Sequence, residues 1–324
     1  MFKTILIFIT TSLLLFFITV SYHPSLDKYS QYFTAKENIT SAYKATYLGA
    51  SSILISDGKT TILTDGFITR PSIYSLLFTQ IQPDKELIKQ TLKKLNIKKI
   101  DAIITLHSHH DHAMDSAEVA NQTNAYLIGS KSSANIAKSQ DFYITKIITG
   151  KQSFQIGDFK LTTIPSKHTK MSRILGNIVG LGEEISSEFK TPAYFTQFKE
   201  SKTYSLFIEH QKGNIFINGS TNFIKGSLQN YKAQTVFLGI ANLSKNTKTF
   251  QEEYFKQTVI ALNAKRVIPI HWDDFTKNIN DTTQPMPRIF DDFKNSMDFI
   301  IQQTKQNNIS LEILRIFDTI ALDK

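Results

Sequence analysis

The chain has 324 residues, of which 41% are hydrophobic and 20% are charged, and it contains no cysteine. This composition is typical of a globular protein with a core, and the lack of cysteine excludes disulfides, thiolate metal sites and cysteine nucleophiles. The net charge of +9 comes from scattered lysines that form no cluster with aromatic residues, so nucleic acid is not an expected partner.

The first predicted element is an apolar stretch at the N-terminus. Lys3 precedes residues 4–20, which are apolar except for threonine and serine. A secretory signal peptide has a shorter apolar stretch and a cleavage site of small residues, whereas a membrane anchor needs roughly 17–25 residues. Residues 21–24 are a poor cleavage sequence, so an uncleaved anchor is favoured over a signal peptide for residues 1–22. We therefore expect an exported protein, either periplasmic or anchored in the inner membrane and facing outward.

The rest of the chain alternates between strand and helix patterns. Residues 48–63 predict a hairpin that turns at Asp57-Gly58, and residues 204–217 predict a second hairpin that turns at Lys212-Gly213. Further predicted strands are 99–106, 125–128, 154–164, 236–240, 267–270 and 309–316, and predicted helices are 85–95, 114–122, 130–138, 250–262 and 290–303. This alternation predicts two sheets covered by helices in one domain at 45–324, after a linker at 23–44.

A histidine-rich motif directly follows the strand at 99–106. Residues 107–112 read His-Ser-His-His-Asp-His and hold four of the eight histidines. Burying several imidazoles together leaves polar nitrogens without partners, whereas a metal ion satisfies them. His107 and His109 face one side of an extended segment and can share a metal, while Asp111 and His112 can reach a second. Imidazole and carboxylate ligands favour zinc, with iron or manganese as alternatives. The other interpretation, an exposed histidine-rich loop, is disfavoured because such tracts rarely end a buried strand.

With this H-x-H-x-D-H motif the sequence resembles the metallo-β-lactamase superfamily, whose signature it is. The resemblance runs from about residue 45 to the C-terminus and includes the hairpin at 49–65, His168 after an apolar strand and Asn218-Gly219-Ser220 after another. The segment at 271–275 resembles the branch of metal-dependent hydrolases that includes the ascorbate-6-phosphate lactonases. The fold that the resemblance implies is a four-layer αββα sandwich of the α/β class.

The resemblance also implies a two-metal site. The first metal would be held by His107, His109 and His168, and the second by Asp111, His112 and His271.

One position departs from the family pattern. Most of the superfamily has a bridging aspartate where this chain has Ser220, and a neutral hydroxyl is a poor bridge. We therefore expect one tight zinc ion and a second, weaker one. Asp65 is expected to accept a hydrogen bond from a ligand histidine.

Four further features have expected roles. His110 is expected to be exposed or to support a ligand, and His210 to face solvent. Asp273 and Asp274 either add a carboxylate to the metal site or cap the following turn. Residues 171–196 do not fit the strand–helix alternation, and we interpret them as a lid or membrane-facing loop that shapes the substrate pocket.

These features predict a zinc-dependent hydrolase in which metal-bound hydroxide attacks an ester, lactone or phosphodiester, with Asp111 also relaying a proton. The substrate would be a small molecule or a lipid, the latter suggested by the predicted anchor and the positive charge. Two alternatives remain open: a metallo-β-lactamase proper, and a catalytically idle metal-binding protein, which the serine at position 220 suggests. Turnover of nitrocefin would identify the first alternative, and a lack of metal-dependent turnover would favour the second.

Overall fold

The computed structural model describes residues 22–34, 39–143 and 146–323, together with Thr11 and Thr19. Fourteen strands in these residues form two sheets of seven. The first sheet contains β1 Lys44–Tyr47, β2 Ile53–Ser56, β3 Thr61–Thr64, β4 Ala102–Ile104, β5 Tyr126–Gly129, β6 Lys146–Ile147 and β14 Thr319–Ala321. The second contains β7 Gln152–Ile156, β8 Phe159–Ser166, β9 Thr203–Glu209, β10 Ile215–Asn218, β11 Thr235–Gly239, β12 Arg266–Ile270 and β13 Ser310–Leu311.

The two sheets share one pairing pattern. The strand order is β14-β1-β2-β3-β4-β5-β6 in the first sheet and β13-β12-β11-β10-β9-β8-β7 in the second. Strands β14 to β3 of the first sheet and β7 to β10 of the second pair antiparallel. The remaining neighbours pair parallel. The carboxyl ends of the parallel strands in each sheet therefore open toward a common edge, which is where α/β proteins place their functional groups.

The helices connect and cover the sheets. They are α1 Ile73–Phe78, α2 Lys85–Lys94, α3 His110–Ala113, α4 Ser116–Thr123, α5 Lys131–Lys138, α6 Arg173–Ile178, α7 Lys248–Phe255 and α8 Phe293–Gln306. Helix α7 continues into a π-helical turn over Lys256–Ile260.

Three apolar clusters hold these layers together. Side chains such as Ile104 of the first sheet and Ile268 of the second share the cluster between the sheets. A second cluster joins the outer face of the second sheet to α7 and α8, and a third joins the outer face of the first sheet to α2 and α4. Strands β11 and β12 are buried along their whole length because they are covered on both faces. The architecture is therefore mixed α/β, with two packed sheets and helices outside both.

Most predicted elements are present, and both predicted hairpins are confirmed. β2 and β3 pair across Asp57-Gly58, and β9 and β10 pair across Lys212-Gly213. The predicted strand at 309–316 is shorter than expected, since only Ser310–Leu311 pairs in the second sheet. The sequence analysis also missed β1, and it missed β14, which pairs with β1 at the edge of the first sheet. Strands this short carry too little periodicity to be detected.

The predicted membrane anchor requires a correction. Across the part of the chain that the structure describes, no helix is long and apolar enough to cross a membrane. We therefore withdraw the prediction of a signal peptide or anchor and of an exported or inner-membrane location. Residues 4–20, on which that prediction was based, lie outside the described residues except for Thr11 and Thr19.

The stretch predicted as a linker contains an ordered 3-10 turn at Asp27–Tyr32. Tyr29 in this turn is buried, and its ring packs edge-on against Phe293 of α8 with the ring centroids 5.3 Å apart. The phenol also donates a hydrogen bond to Asp298 on the same helix. This turn therefore lies against the helical layer of the second sheet.

Candidate metal centre

Three loops at the carboxyl ends of strands bring the predicted ligands together. The loop after β4 carries His107 and His109 and leads into α3, which contains Asp111 and His112. The other two loops follow β8 and β12 and carry the remaining two predicted ligands, His168 and His271. All six predicted side chains therefore meet at one edge of the sandwich, where they form two clusters.

The first cluster consists of His107, His109 and His168. Their ring centroids are 4.7 to 5.1 Å apart, and one ring nitrogen from each lies within 4.8 Å of the others. Both ring nitrogens of His107 are buried without a hydrogen-bond partner among the described residues. Leaving such polar atoms unpaired is costly, and a metal ion would satisfy at least one of them.

The second cluster consists of Asp111, His112 and His271. The Oδ2 atom of Asp111 lies 3.2 Å from His271 Nε2 and 3.6 Å from His112 Nε2, and the two imidazole nitrogens are 3.2 Å apart. Three ligands about 2.0–2.1 Å from a tetrahedral zinc ion would be about 3.4 Å from one another. The spacing of these atoms therefore fits a zinc-sized ion. The two clusters adjoin, since the rings of His107 and His112 have centroids 3.5 Å apart.

Backbone carbonyl groups orient the ligand histidines of the first cluster. The Nδ1 atom of His168 lies 3.0 Å from the carbonyl oxygen of Thr169, and Nε2 of His109 lies 3.2 Å from that of Val179. A carbonyl only accepts, so each of these ring nitrogens carries the proton and donates it. The opposite nitrogens, Nε2 of His168 and Nδ1 of His109, are thereby left with lone pairs for a metal.

A carboxylate performs the same role in the second cluster, as expected. Asp65 Oδ2 accepts from Nδ1 of His112 at 2.8 Å, and its Oδ1 accepts from the backbone N–H of Leu106 at 2.7 Å. Ser51 Oγ also donates to Asp65 Oδ2 at 2.6 Å. Sequence analysis missed Ser51, because a serine in a hairpin carries no signal of a contact formed through the fold.

The electrostatics of the two clusters differ. Burial, reinforced by neighbouring histidines, lowers the pKa of His107 and His109 well below the usual range, and burial lowers the pKa of His168 to about 4. Burial alone would raise the pKa of Asp111, but the surrounding histidines hold that pKa well below its usual value. Burial would likewise lower the pKa of His271, but the hydrogen bond and charge of Asp111 outweigh this effect and raise it. The first cluster is therefore neutral at pH 7, while the second contains a carboxylate.

The hydroxyl group of Ser220 stabilises the loop that carries His168. Its Oγ accepts a hydrogen bond of 2.8 Å from the backbone N–H of Thr169, next to His168. The amide of Asn222 donates to the carbonyl of His168 at 2.7 Å. The loop after β10 therefore fixes the loop after β8, and it brings no negative charge to the space between the clusters.

A buried ion pair supports the loop that carries His271. Arg70 pairs with Asp273 Oδ2, and Asp273 Oδ1 accepts from the Tyr47 hydroxyl and from the backbone N–H of Ala50 at 2.8 Å. The backbone N–H of His271, whose φ is +57°, donates in turn to the carbonyl of Ala50 at 2.8 Å. Sequence analysis missed Arg70, because a buried arginine cannot be distinguished from a surface one by its neighbours in sequence.

Neither carboxylate after His271 joins the ligand clusters. Asp273 is part of the ion pair with Arg70, whereas Asp274 caps the following turn by accepting from the backbone N–H and hydroxyl of Thr276. The ion pair between Arg70 and Asp273 requires glycine at position 49, because the φ of Gly49 is +93° and a Cβ there would lie 1.9 Å from Arg70 Nη2. The turn-capping role expected for these aspartates is therefore correct for Asp274 only.

A cavity of about 360 Å³ opens above the clusters. Apolar side chains form most of its wall, including Leu76, Phe275 and Phe290. The segment at 171–196 contributes Met171, Leu175, Val179 and Phe195. The expectation that this segment shapes the pocket is therefore confirmed, and part of it forms helix α6.

Two other histidines are buried, one of which was expected to face solvent. His110 is 8% exposed, and its ring lies about 6 Å from aromatic rings of four side chains, namely Phe67, Phe195, Phe198 and Phe275. His210 is 7% exposed and packs against the rings of Tyr43 and Phe159 at 4.3 and 5.0 Å. The prediction that His210 faces solvent is therefore wrong, and His110 is not exposed either.

Comparison with known proteins agrees with this geometry. The profile of the family described as "Beta-lactamase superfamily domain" matches residues 44–271. A UPF0173 metal-dependent hydrolase of Listeria welshimeri is 26% identical over 235 residues, covering 72% of this chain and 86% of its own length. Residues 44–271, which match the family profile, include the whole of both ligand clusters.

Solved structures show the same fold at low sequence identity. Igni18, a metallo hydrolase of the archaeon Ignicoccus hospitalis, is 15% identical with a TM-score of 0.54, and the match covers 86% of this chain and 97% of Igni18. CmlA, a diiron β-hydroxylase of Streptomyces venezuelae, is 13% identical with a TM-score of 0.55, and the match covers 88% of this chain and 55% of CmlA. The chain belongs to the β-lactamase superfamily and is a metal-dependent hydrolase of the metallo-β-lactamase fold.

Proposed function

We propose that the protein hydrolyses an ester or lactone that carries no negative charge, with zinc held by the two ligand clusters. The first ion would be bound by three histidines, and the second by one aspartate and two histidines. The observation that carries this proposal is the placement of two adjacent three-ligand clusters at the floor of an apolar cavity. Three protein ligands per ion leave a coordination position open, which is the pattern of catalytic zinc sites.

The chemistry follows from the ligand set. When bound, zinc lowers the pKa of water toward neutrality and polarises a carbonyl group. Asp111 remains ionised beside His271, so its carboxylate can take the proton of the attacking water and pass it to the leaving oxygen. The backbone and Asp65 contacts hold His109, His168 and His112 each in one tautomer and orientation. The apolar wall keeps bulk water away from the reacting bond.

The cavity wall supports the choice of a substrate without negative charge. No lysine or arginine is among the described residues that line the cavity. A phosphodiester carries a permanent negative charge, and moving it into an apolar cavity costs free energy that only the metals would offset. An ester or lactone carries no such penalty, and its carbonyl oxygen develops charge only during the reaction.

We also propose that the two ions bind with different affinities. A bridging carboxylate normally contributes to both sites, and Ser220, which accepts from Thr169, supplies no charge in its place. The second ion then depends on Asp111, His112 and His271 alone. We expect one tightly bound zinc ion and a second that is lost first on dialysis. Iron or manganese would be accepted by the same nitrogen and oxygen donors.

Metal removal tests the proposal. The full chain is stripped with a chelator, reloaded with zinc, and assayed with p-nitrophenyl esters, aliphatic lactones, bis-p-nitrophenyl phosphate and nitrocefin. We expect the reloaded protein to turn over an ester or lactone, and the stripped protein to lose that activity because no hydroxide is generated at neutral pH. His23→Ala, which removes a histidine outside the cavity, is the matched control. Metal-dependent turnover of the phosphodiester or nitrocefin alone would contradict the substrate class, and no turnover at all would favour the idle alternative.

A further inference from the structure

The substrate cavity contains a second acidic residue that the proposed chemistry does not use. Among the described residues that line it, the acids are Asp111 and Asp291. Asp111 belongs to the second ligand cluster, but Asp291 lies on the segment before α8 and is in neither cluster. An acid in an otherwise apolar wall needs a reason, because burying a carboxylate is unfavourable unless it has partners.

The carboxyl group of Asp291 is only half satisfied. The side chain is 4% exposed, and its Oδ1 accepts a hydrogen bond of 3.0 Å from the backbone N–H of Asn242. Its Oδ2 has no hydrogen bond and no ion pair with any residue that the structure describes. Lys245, the nearby cation, donates instead to the carbonyl oxygen of Phe290. Burial accordingly raises the pKa of Asp291 to about 6.

A second acceptor lies beside this carboxyl group. Asn242 also lines the cavity, and its Oδ1 is buried without a hydrogen-bond partner among the described residues. Because that oxygen is shielded from solvent, the acceptor that a substrate group can reach is the unpaired Oδ2 of Asp291. A protonated primary amine has three N–H donors, and its positive charge would compensate the negative charge of a buried carboxylate.

We propose that Asp291, held by the backbone N–H of Asn242, binds a protonated amine of the substrate while the metal centre holds its ester or lactone carbonyl. This inference rests on the proposed function and specifies the substrate further. A cavity of about 360 Å³ is near the lower limit for small-molecule sites, so one molecule that fills it contacts both places. The substrate is then a small amino ester or amino lactone with an apolar spacer between its two polar ends.

Binding of reaction products tests this inference without knowledge of the natural substrate. The zinc-loaded full chain is titrated calorimetrically with the alkanoates from propanoate to octanoate, and with the matched ω-amino and ω-hydroxy acids. The carboxylate mimics the hydrolysed carbonyl end, and the ω group reaches toward Asp291. At one chain length we expect the amino acid to bind about tenfold more tightly than the plain alkanoate, which is the usual size of a charge-assisted hydrogen bond.

Asp291→Asn identifies the residue responsible. The amide keeps an oxygen for the Asn242 N–H but presents an N–H₂ donor to the amine, so the tenfold advantage should disappear while alkanoate binding is unchanged. Asp281→Asn, at an exposed acid outside the cavity, should leave the advantage intact. Thermal unfolding checks that D291N folds, and the wild-type series tests the preference even if it does not.

Three results would overturn the inference. One is a wild-type protein that gains nothing from the ω-amine at any chain length, and another is a folded D291N protein that keeps the gain. An equal gain from the ω-hydroxy acids would exclude the specific role of a cation. If the plain alkanoates do not bind either, the result also contradicts the proposed ester or lactone chemistry at the metal centre. Failure of the proposed function can therefore be distinguished from failure of the amine site alone.

Discussion

The two ligand clusters use nearly the same side chains but are supported in different ways. The first consists of three histidines, two of which donate a ring N–H to a backbone carbonyl group, and burial lowers the pKa of all three. The second contains Asp111 and depends on buried carboxylates behind it, with Asp65 on His112 and Asp273 on the loop of His271. The first cluster is therefore ready to bind a cation without losing protons, whereas His271 must first give up the proton that Asp111 favours.

Removal of a ligand from the first cluster should have the largest effect. In His109→Ala the tight ion loses one of three protein ligands, so we expect zinc affinity and kcat/KM to fall at least about a hundredfold, more than loss of an outer contact costs. Equilibrium dialysis with metal analysis and an ester assay measure the two quantities. Activity close to wild type would show that the second cluster alone is sufficient, which would reverse the ranking of the two sites.

Loss of the carboxylate behind the second cluster should have a smaller and selective effect. In Asp65→Asn the amide cannot accept from His112 as a carboxylate does, so we expect the affinity for the second ion to fall about 10–100-fold. The first ion should remain bound, since its ligands are oriented by backbone carbonyls. Stoichiometric zinc titration of D65N against wild type distinguishes the two sites, and an equal loss at both would show that they are not supported independently.

Restoring the family carboxylate should reduce the difference between the sites. In Ser220→Asp a carboxylate can keep the acceptor role toward the Thr169 N–H and add charge between the clusters. We expect the second ion to bind about tenfold more tightly, equivalent to about 1.4 kcal/mol. Ser227→Asp, at a serine outside the cavity, is the matched control. If S220D leaves the second affinity unchanged, the missing bridge is not what weakens that site.

The smallest expected effect is on the acid stability of the metal-free protein. His168 has a pKa of about 4 when folded and 6.5 when unfolded, so the unfolded chain binds its proton first and stability falls as the pH drops through this window. The pKa of His271 is raised, so its contribution has the opposite sign and is lost as the pH rises. In urea unfolding, His168→Asn should flatten the loss of stability as the pH falls from 6.5 to about 4, whereas His271→Asn should flatten the loss as the pH rises above 6.5. Parallel slopes for both variants would contradict the electrostatic difference between the clusters.

The sequence predicted the parts of this site that depend on local pattern. Six candidate ligands could be named because they come after apolar strands, and strand ends converge in α/β architectures; the structure brings all six into two clusters. The role of Asp65 was predicted for the same reason. Ser51 and Arg70 could not be predicted, because each acts through a contact with a residue distant in sequence. Asp291 was not identified either, since nothing in its sequence neighbourhood shows that it lines the substrate cavity.

Burial of single histidines was also beyond the sequence. His210 directly precedes a hairpin turn, yet the fold packs its ring against Tyr43 and Phe159, with Nε2 3.6 Å from Asp57. The apolar pattern at residues 4–20 predicted a membrane anchor, and the helices of the described residues do not include one. Residue patterns thus predict strands and helices well, but they predict the surroundings of an isolated polar side chain poorly.

The turn at Gly49 gives the metal centre a remote point of adjustment. A side chain there would displace Arg70 from Asp273, and Asp273 in turn positions the Ala50 backbone that holds His271. A single methyl group at this buried turn, with no candidate ligand altered, would therefore shift the position of His271 through a chain of buried contacts. During neutral evolution, position 49 would therefore have to remain glycine, although its residue makes no contact with the metal centre.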